Sequence, residues 1–250
     1  MFGVSLLSLR NLAVAAAVTL VGAYALVFFY APLDADQGFV QKIFYLHVPL
    51  AIVALVGFMV AAIHSIRHLR SGDPVHDARS YVSIHISIIF GVAVLVSGSI
   101  WAHAAWGKWW VWDEPTLVSF LIVFLLYSTY YPLRFAIEDR ERQARYASVF
   151  AITAGAFVPL NFMAVRMAES LVHPRTFATA EGGLPAEMMF TFLVSLAAMA
   201  LLWVTLVRFE LVAKRARGRI SRLRRALDAD GPAGRPSRIA PSVPSRASAG

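Results

Sequence analysis

Cysteine is absent from all 250 residues of the chain. Without thiols, the protein forms no structural disulfide and offers no thiolate ligand to a metal. It also lacks the Cys-x-x-Cys-His motif to which haem is attached covalently. These absences exclude a disulfide-stabilised fold, a thiolate metal centre and a haem attached through cysteine thiols.

Charge is also scarce, because Asp, Glu, Lys and Arg make up only 15% of the residues. Six stretches of 19 to 28 residues contain none of them: 11–33, 43–66, 80–107, 115–133, 146–165 and 188–207. About 20 apolar residues in a helix cross a bilayer core, and only helices or closed barrels can span it. Strand-like alternation is missing. The sequence therefore predicts an all-α integral membrane protein with six transmembrane helices, at about 11–32, 44–65, 80–103, 116–134, 146–167 and 187–208.

The basic residues are distributed unequally between the two sides of these spans. One side carries eight Lys and Arg in its loops and eleven more from Arg208 onward, and the other side carries four. Because basic loops stay in the cytoplasm, both termini are predicted to be cytoplasmic and residues 101–115 to face outward. The net charge of +8 largely reflects this asymmetry. A basic tail beside a membrane indicates an anchor at the lipid surface and not a nucleic-acid site.

The chain divides by composition into a six-helix domain, residues 1–212, and a basic tail, residues 213–250. The tail ends in a stretch rich in Pro, Ser and Gly and is predicted to be largely disordered. No internal repeat, P-loop or Gly-rich dinucleotide motif is present. A secondary transporter would carry a repeat and charges inside its helices, so this class is disfavoured. Any nucleotide-derived energy would come from a partner.

Five of the six tryptophans lie in one short stretch, WAHAAWGKWWVWDEP, residues 101–115. An aromatic belt at the bilayer surface is one interpretation, but a belt needs only one or two rings per helix end. In a helical segment, Trp106, Trp109, Trp110 and Asp113 would share one face. That face would be a flat aromatic platform, which suits a large planar hydrophobic ligand.

Two of the seven histidines lie on the same predicted side as this stretch, each beside a proline that stiffens the backbone. His47 is in YLHVP at the start of the second span, and His173 is in LVHPR in the third outward loop. Two imidazoles from separate segments suit the axial positions of a haem iron. Haem is therefore the predicted ligand. The remaining histidines, of which His103 is nearest to the tryptophans, are interpreted as interfacial or hydrogen-bonding residues: His64, His68, His76, His85 and His103.

Arg166, Glu169 and His173 recur at intervals of three and four, so a helix through them would place them on one face. Glu169 would then orient the imidazole as a hydrogen-bond acceptor, and Arg166 would meet a haem propionate. The alternative is a surface ion pair between Arg166 and Glu169 that contributes little.

The octapeptide WGKWWVWD, residues 106–113, resembles the WWD signature of a family of membrane haem-handling proteins. The heptapeptide IFYLHVP, residues 43–49, resembles a second signature, found in one branch of that family. This branch is cytochrome c maturation protein C (CcmC), also called haem exporter protein C. The resemblance covers about residues 11–208. It implies six transmembrane helices with His47 and His173 as axial ligands. The platform of Trp106, Gly107, Trp109, Trp110, Trp112 and Asp113 would hold the porphyrin.

The resemblance further implies that the chain presents haem b at the outer face of the bacterial inner membrane. It would hand the haem to the chaperone CcmE, beside the ABC transporter subunits CcmA and CcmB and the small membrane protein CcmD. The alternative from the same WWD family is a cytochrome c haem-lyase or synthase subunit, and the length of this chain disfavours it. One departure is clear: the basic residue that the family places after the WWD aspartate is missing, and Glu114 and Pro115 stand there. Lys108 and Arg175 are the candidates to replace it.

Overall fold

The computed structural model describes residues 8–167, 172–173 and 183–230, and these are almost entirely helical. Six helical stretches are long and apolar enough to cross a membrane, which confirms the predicted fold class. Within the described ranges no β-strand forms, and Asp34 and Gly38 make one isolated bridge. The elements are α1 (Leu9–Phe29), a 3-10 helix (Phe39–Ile43), α2 (Phe44–Ser71), α3 (Pro74–Trp106), α4 (Pro115–Ser128), α5 (Tyr130–Phe135), α6 (Arg140–Met167) and α7 (Ala186–Asp230).

The turn between α2 and α3 is built by residues suited to helix ends. Gly72 ends α2 in the left-handed conformation, with φ of 68°, and its N–H bonds to the carbonyl of His68. Asp73 then caps α3 by accepting a hydrogen bond from the N–H of Val75, and Pro74 occupies the first helical position. A left-handed glycine after a helix and a proline at the start of the next are the residues that such ends favour. We call this end of the helix bundle the turn end.

The predicted fourth span is broken into two helices. α4 ends at Ser128, and α5 begins at Tyr130. Pro132 has no N–H to donate to the carbonyl of Ser128, so the helical hydrogen-bond ladder is interrupted there. The break lies close to the turn end, and α4 with α5 still forms one span from Pro115 to Phe135.

The main hydrophobic core surrounds α2. Ala54, Phe58 and Ala61 are fully buried along this helix. The ring of Phe58 stacks on Tyr127 of α4 with centroids 3.9 Å apart. The hydroxyl of Tyr127 lies within hydrogen-bond distance of the carbonyls of Phe58 and of Ala151 in α6. One tyrosine thereby connects three helices while keeping its polar atom satisfied, as a lipid-surrounded core requires.

A buried lysine secures the end of α1. The ammonium group of Lys42, in the 3-10 helix, donates to the carbonyl of Val27 at 2.7 Å and to that of Ala31. The last carbonyls of a helix have no partner within it, so a cation at this position satisfies them. Lys42 therefore fixes the segment that leads into α2.

α7 continues past the predicted end of the sixth span as far as Asp230. The chain divides into two compact units, residues 1–211 and 212–250. The site described below lies within the first unit. The functional separation of a six-helix domain from a basic tail stays a prediction.

Candidate ligand-binding site

A cavity opens where α3 ends and α4 begins. This end of the bundle carries residues 101–115, and we call it the tryptophan end. The cavity contains about 980 Å³ of space between atoms, including the part that opens to the surroundings. Its walls come from α2, α3, α4, α6 and His173, and are mainly aliphatic and aromatic. An apolar cleft of this kind with a few polar groups is the usual form of a small-molecule site.

His47 lies in this wall, held by one face of α3. Its Nδ1 is 3.0 Å from the hydroxyl of Ser97, and its ring packs edge-on against Trp101 with centroids 5.7 Å apart. A methyl group at Gly98 would come within 2.7 Å of the ring carbon Cε1. Ser97, Gly98 and Trp101 thus form the binding surface, or seat, for the His47 imidazole. Only glycine at position 98 leaves enough room for the ring.

The hydrogen bonds around Ser97 determine the tautomer of His47. The Ser97 hydroxyl donates to the carbonyl of Ala93 at 2.7 Å. Because its single proton is used there, the Ser97 oxygen accepts from His47, so the proton of the neutral ring is on Nδ1. The lone pair then belongs to Nε2. This is the arrangement in which histidine serves as a metal ligand, with its other nitrogen held by a hydrogen bond.

His173 reaches the same cavity from a different direction. Its ring centroid lies 6.4 Å from that of Trp101 and 6.3 Å from that of Trp106. Its backbone N–H donates to Oε2 of Glu114 at 3.2 Å, and the N–H of Val172 donates to the same oxygen at 3.0 Å. The two histidines predicted from the sequence are therefore brought to one cavity, with Trp101 in contact with both.

The helical platform proposed for the tryptophan segment is not formed. α3 ends at Trp106 because Gly107 takes a left-handed conformation, with φ of 70°, and residues 107–114 are not helical. Trp106 and Trp110 line the cavity together with Trp101, which the sequence analysis did not select. Trp109 instead stacks on His103 at 4.2 Å and is 58% exposed, and Trp112 is 71% exposed.

Three of the charged residues considered in the sequence lie in the described ranges, and none of the three lines the cavity. Arg166, Asp113 and Lys108 are exposed. Glu169 and Arg175 lie outside the described residues. The roles expected of these residues, including the propionate contact of Arg166, stay predictions.

Several residues that the sequence analysis missed shape the site, and some had a local signal. Glu114 precedes Pro115, and an acidic residue before a proline is typical of a helix start. Ser97 and Gly98 are small residues three and four positions before Trp101, so they lie near it on α3. Asn161 had no distinguishing pattern, because a single amide in an apolar span does not reveal its direction.

The chemistry of the wall fits a haem. Two buried polar atoms of lining residues, Nε1 of Trp110 and Oδ1 of Asn161, have no hydrogen-bond partner in the described part of the chain. Buried polar groups are normally paired, so a bound molecule with polar groups would complete them. Among residues 8–167, 172–173 and 183–230 no group of three or more His, Cys, Asp or Glu could hold a bare metal ion. A porphyrin supplies its own four nitrogens, so two imidazoles complete the coordination of its iron.

Comparison with known proteins identifies the family of the chain. The sequence model of the family described as Heme exporter protein C matches residues 2–226. The chain belongs to this family. It is 32% identical to Heme exporter protein C of Bradyrhizobium diazoefficiens over 75% of this chain and 73% of the relative. It is 30% identical to Heme exporter protein C of Rhodobacter capsulatus over 80% and 84% of the two chains. It is also 31% identical to a ccmC-like mitochondrial protein named for cytochrome c biosynthesis in Marchantia polymorpha, over 59% and 62%.

Membership in the Heme exporter protein C family gives the general role. These are haem-handling membrane subunits of a haem export complex, and not enzymes. The chain is thus a multi-pass membrane protein with a role in haem delivery for cytochrome c maturation. The names disfavour the synthase alternative considered from the sequence.

Proposed function

We propose that this protein binds haem b in the cavity at the tryptophan end, with His47 and His173 as the axial ligands of the iron, and releases it to the chaperone CcmE. One observation carries the proposal. Two imidazoles from distant parts of the chain line one apolar cavity, together with three indole rings. Surface burial and ring stacking would hold the porphyrin, and the imidazoles would fix the iron.

The two ligands are held in different ways. His47 belongs to a helix and is seated against a second helix by Ser97 and Trp101. His173 lies outside the helices and is held through its backbone by Glu114. Release of haem to a chaperone requires both iron–nitrogen bonds to break.

The charge distribution supports an orientation for this site. The turn end and the region from Arg208 carry most of the basic residues, and Lys42 at the tryptophan end is buried. The cavity then faces the periplasm from the bacterial inner membrane. CcmA and CcmB would supply ATP-driven transport and CcmD would complete the assembly, with the lipid bilayer around it. Asp113, which is exposed beside the cavity, is a candidate contact for the chaperone.

The test uses the full chain purified in detergent from haem-replete cells. His47→Gly and His173→Gly should each lower haem occupancy and shift the Soret band, because each removes one iron ligand. Added imidazole should partly restore both. The matched control is His103→Gly, since His103 lies at the same end but stacks on Trp109 outside the cavity wall.

Two results would reject the ligand assignment. One is an unchanged spectrum in both His47→Gly and His173→Gly at equal protein levels. The other is a loss confined to His103→Gly, which would transfer the ligand role to His103. For delivery, labelled CcmE is quantified in the same membranes as the haem content. Asp113→Asn should reduce labelled CcmE while the haem content of this protein is retained.

A further inference from the structure

Glu114 is a fully buried carboxylate, with 0% of its surface exposed, at the N-terminus of α4. Its Oε1 caps the helix weakly, 3.5 Å from the N–H of Thr116. Its Oε2 accepts the shorter bonds from the N–H groups of Val172 and His173, at 3.0 and 3.2 Å. A buried carboxylate is costly unless it is well hydrogen-bonded, so these bonds account for its position. Both bonds from the segment that carries His173 are therefore shorter than the bond from its own helix.

We propose that Glu114 is a positioning residue that holds the His173 imidazole in the cavity, acting through the backbone of residues 172–173. This inference rests on the proposed function, in which His173 binds the iron. Glu114 belongs to the tryptophan-rich stretch, residues 101–115, and its carboxylate accepts hydrogen bonds from Val172 and His173. One side chain thereby sets the position of the histidine relative to Trp106, whose ring lies 6.3 Å from the imidazole.

The length of the side chain matters more to this role than its charge. Asp at position 114 would keep a carboxylate that caps α4, because Asp is among the best N-cap residues. It is one methylene shorter, so the carboxylate would withdraw from Val172 and His173. Gln would keep the reach, and its amide oxygen can accept both N–H groups. A positioning role therefore predicts that Gln replaces Glu better than Asp does, and a role in helix capping or charge predicts the reverse order.

The experiment compares Glu114→Gln, Glu114→Asp, Glu114→Ala and His173→Gly with the unaltered full chain, purified with bound haem and oxidised with ferricyanide. Electron paramagnetic resonance and the visible spectrum report whether the iron has two imidazole ligands. Glu114→Asp and Glu114→Ala should reproduce the signature of His173→Gly and bind haem about 10-fold more weakly, as loss of a residue that orients a metal ligand does. Added imidazole should restore the two-ligand signature, and Glu114→Gln should retain it.

Asp73→Ala is the matched control. Asp73 also caps a helix from the position before a proline, with its carboxylate 2.8 Å from the N–H of Val75, but it lies at the turn end. The Asp73→Ala variant should lose a similar stabilisation of its helix N-terminus, while its haem should keep the spectrum of an iron with two imidazole ligands. If Glu114→Ala does not accumulate, the Asp and Gln variants still decide the order.

The outcomes separate the two proposals. If His173→Gly keeps the spectrum of the unaltered chain, the ligand assignment fails, whatever Glu114 does. If His173→Gly loses the two-ligand signature but Glu114→Asp keeps it, the positioning role of Glu114 is overturned while His173 remains a ligand. The positioning role is also overturned if Glu114→Asp keeps the two-ligand signature and haem affinity better than Glu114→Gln does.

Discussion

Two histidines lie near each other at each end of the helix bundle, directly hydrogen-bonded at the turn end and lining a cavity at the tryptophan end. At the turn end, the Nδ1 atoms of His64 and His76 are 3.2 Å apart, and the rings stack with centroids 5.5 Å apart. Axial ligands on opposite faces of a haem need their nitrogens about 4 Å apart, twice a typical metal–nitrogen bond, and this directly hydrogen-bonded pair leaves no such space. At the tryptophan end, His47 and His173 instead contact Trp101 and line an open cavity. Proximity of histidines is therefore a poor indicator of a ligand site unless space remains between them.

The charged and polar groups of the two ends follow the same contrast. At the turn end, Arg134 makes two hydrogen bonds of 2.7 Å to Asp77 and one to the hydroxyl of Tyr130, so these groups satisfy each other. At the tryptophan end, the cavity-lining atoms Nε1 of Trp110 and Oδ1 of Asn161 are buried with no described partner. Arg134, Asp77 and Tyr130 at the turn end are thus completed by the protein itself, although the buried hydroxyl of Tyr131 in α5 has no described partner. At the tryptophan end, the two orphaned atoms face the cavity and are available to a bound molecule.

The largest effect in this comparison is expected from Ser97→Ala. The substitution removes the acceptor for the Nδ1 proton of His47, which fixes the ring and its tautomer. Loss of such a partner typically weakens metal binding about 10- to 100-fold. Haem affinity is measured by titration of the purified protein. Ser87→Ala is the matched control, because Ser87 is a buried serine on the same helix that bonds to Trp203 and does not line the cavity. Equal losses in the two variants would show a general effect of removing a buried hydroxyl from α3.

A smaller effect is expected from the tryptophans that line the cavity. Ring stacking contributes about 0.5–1.5 kcal/mol beyond area burial, so Trp106→Leu and Trp110→Leu should each weaken haem retention about 2- to 10-fold. Trp109→Leu and Trp112→Leu serve as controls with the same chemistry, and each should change retention less than about 2-fold. Haem dissociation into excess apomyoglobin provides the measurement. Larger losses in the controls than in the lining variants would place the porphyrin on the exposed side of the segment.

The smallest effect on haem is expected at the turn end. His64→Ala with His76→Ala should leave the haem spectrum unchanged, because this pair lies away from the cavity. The free energy of unfolding should fall by about 0.5–1.5 kcal/mol, the usual contribution of one hydrogen bond. Thermal unfolding in detergent and the Soret spectrum are recorded on the same sample. A lost Soret band with normal stability would mean that histidine pairing at the turn end contributes to haem binding.

The sequence was sufficient for the fold class, because a charge-free run of 19 or more residues has few alternatives in a membrane protein. It also singled out His47 and His173, and the structure brings both to one cavity, while their role as iron ligands stays a prediction. It was not sufficient for the arrangement of the tryptophans. Helical spacing predicted that Trp109 and Trp110 share one face. The helix instead ends before the left-handed Gly107, so Trp110 lines the cavity and Trp109 stacks on His103.

Long-range contacts were also beyond the sequence. The contact from Glu114 to Val172 and His173 joins residues far apart in the chain, and no local pattern encodes it. The seat of His47 depends on how α2 packs against α3, which places Gly98 against the ring. Local rules describe where helices begin and end, whereas the site depends on which helices become neighbours.

The buried ammonium of Lys42 has a consequence for how the protein is assembled. A buried cation has little access to water, and the carbonyls of Val27 and Ala31 solvate it instead. The carbonyl of Val27 is in position only once the last turn of α1 has formed. We expect the first two spans to leave the translocon as a pair, so that the lysine never faces lipid alone. A chain that lacks α1 would then fail at insertion, before any question of haem arises.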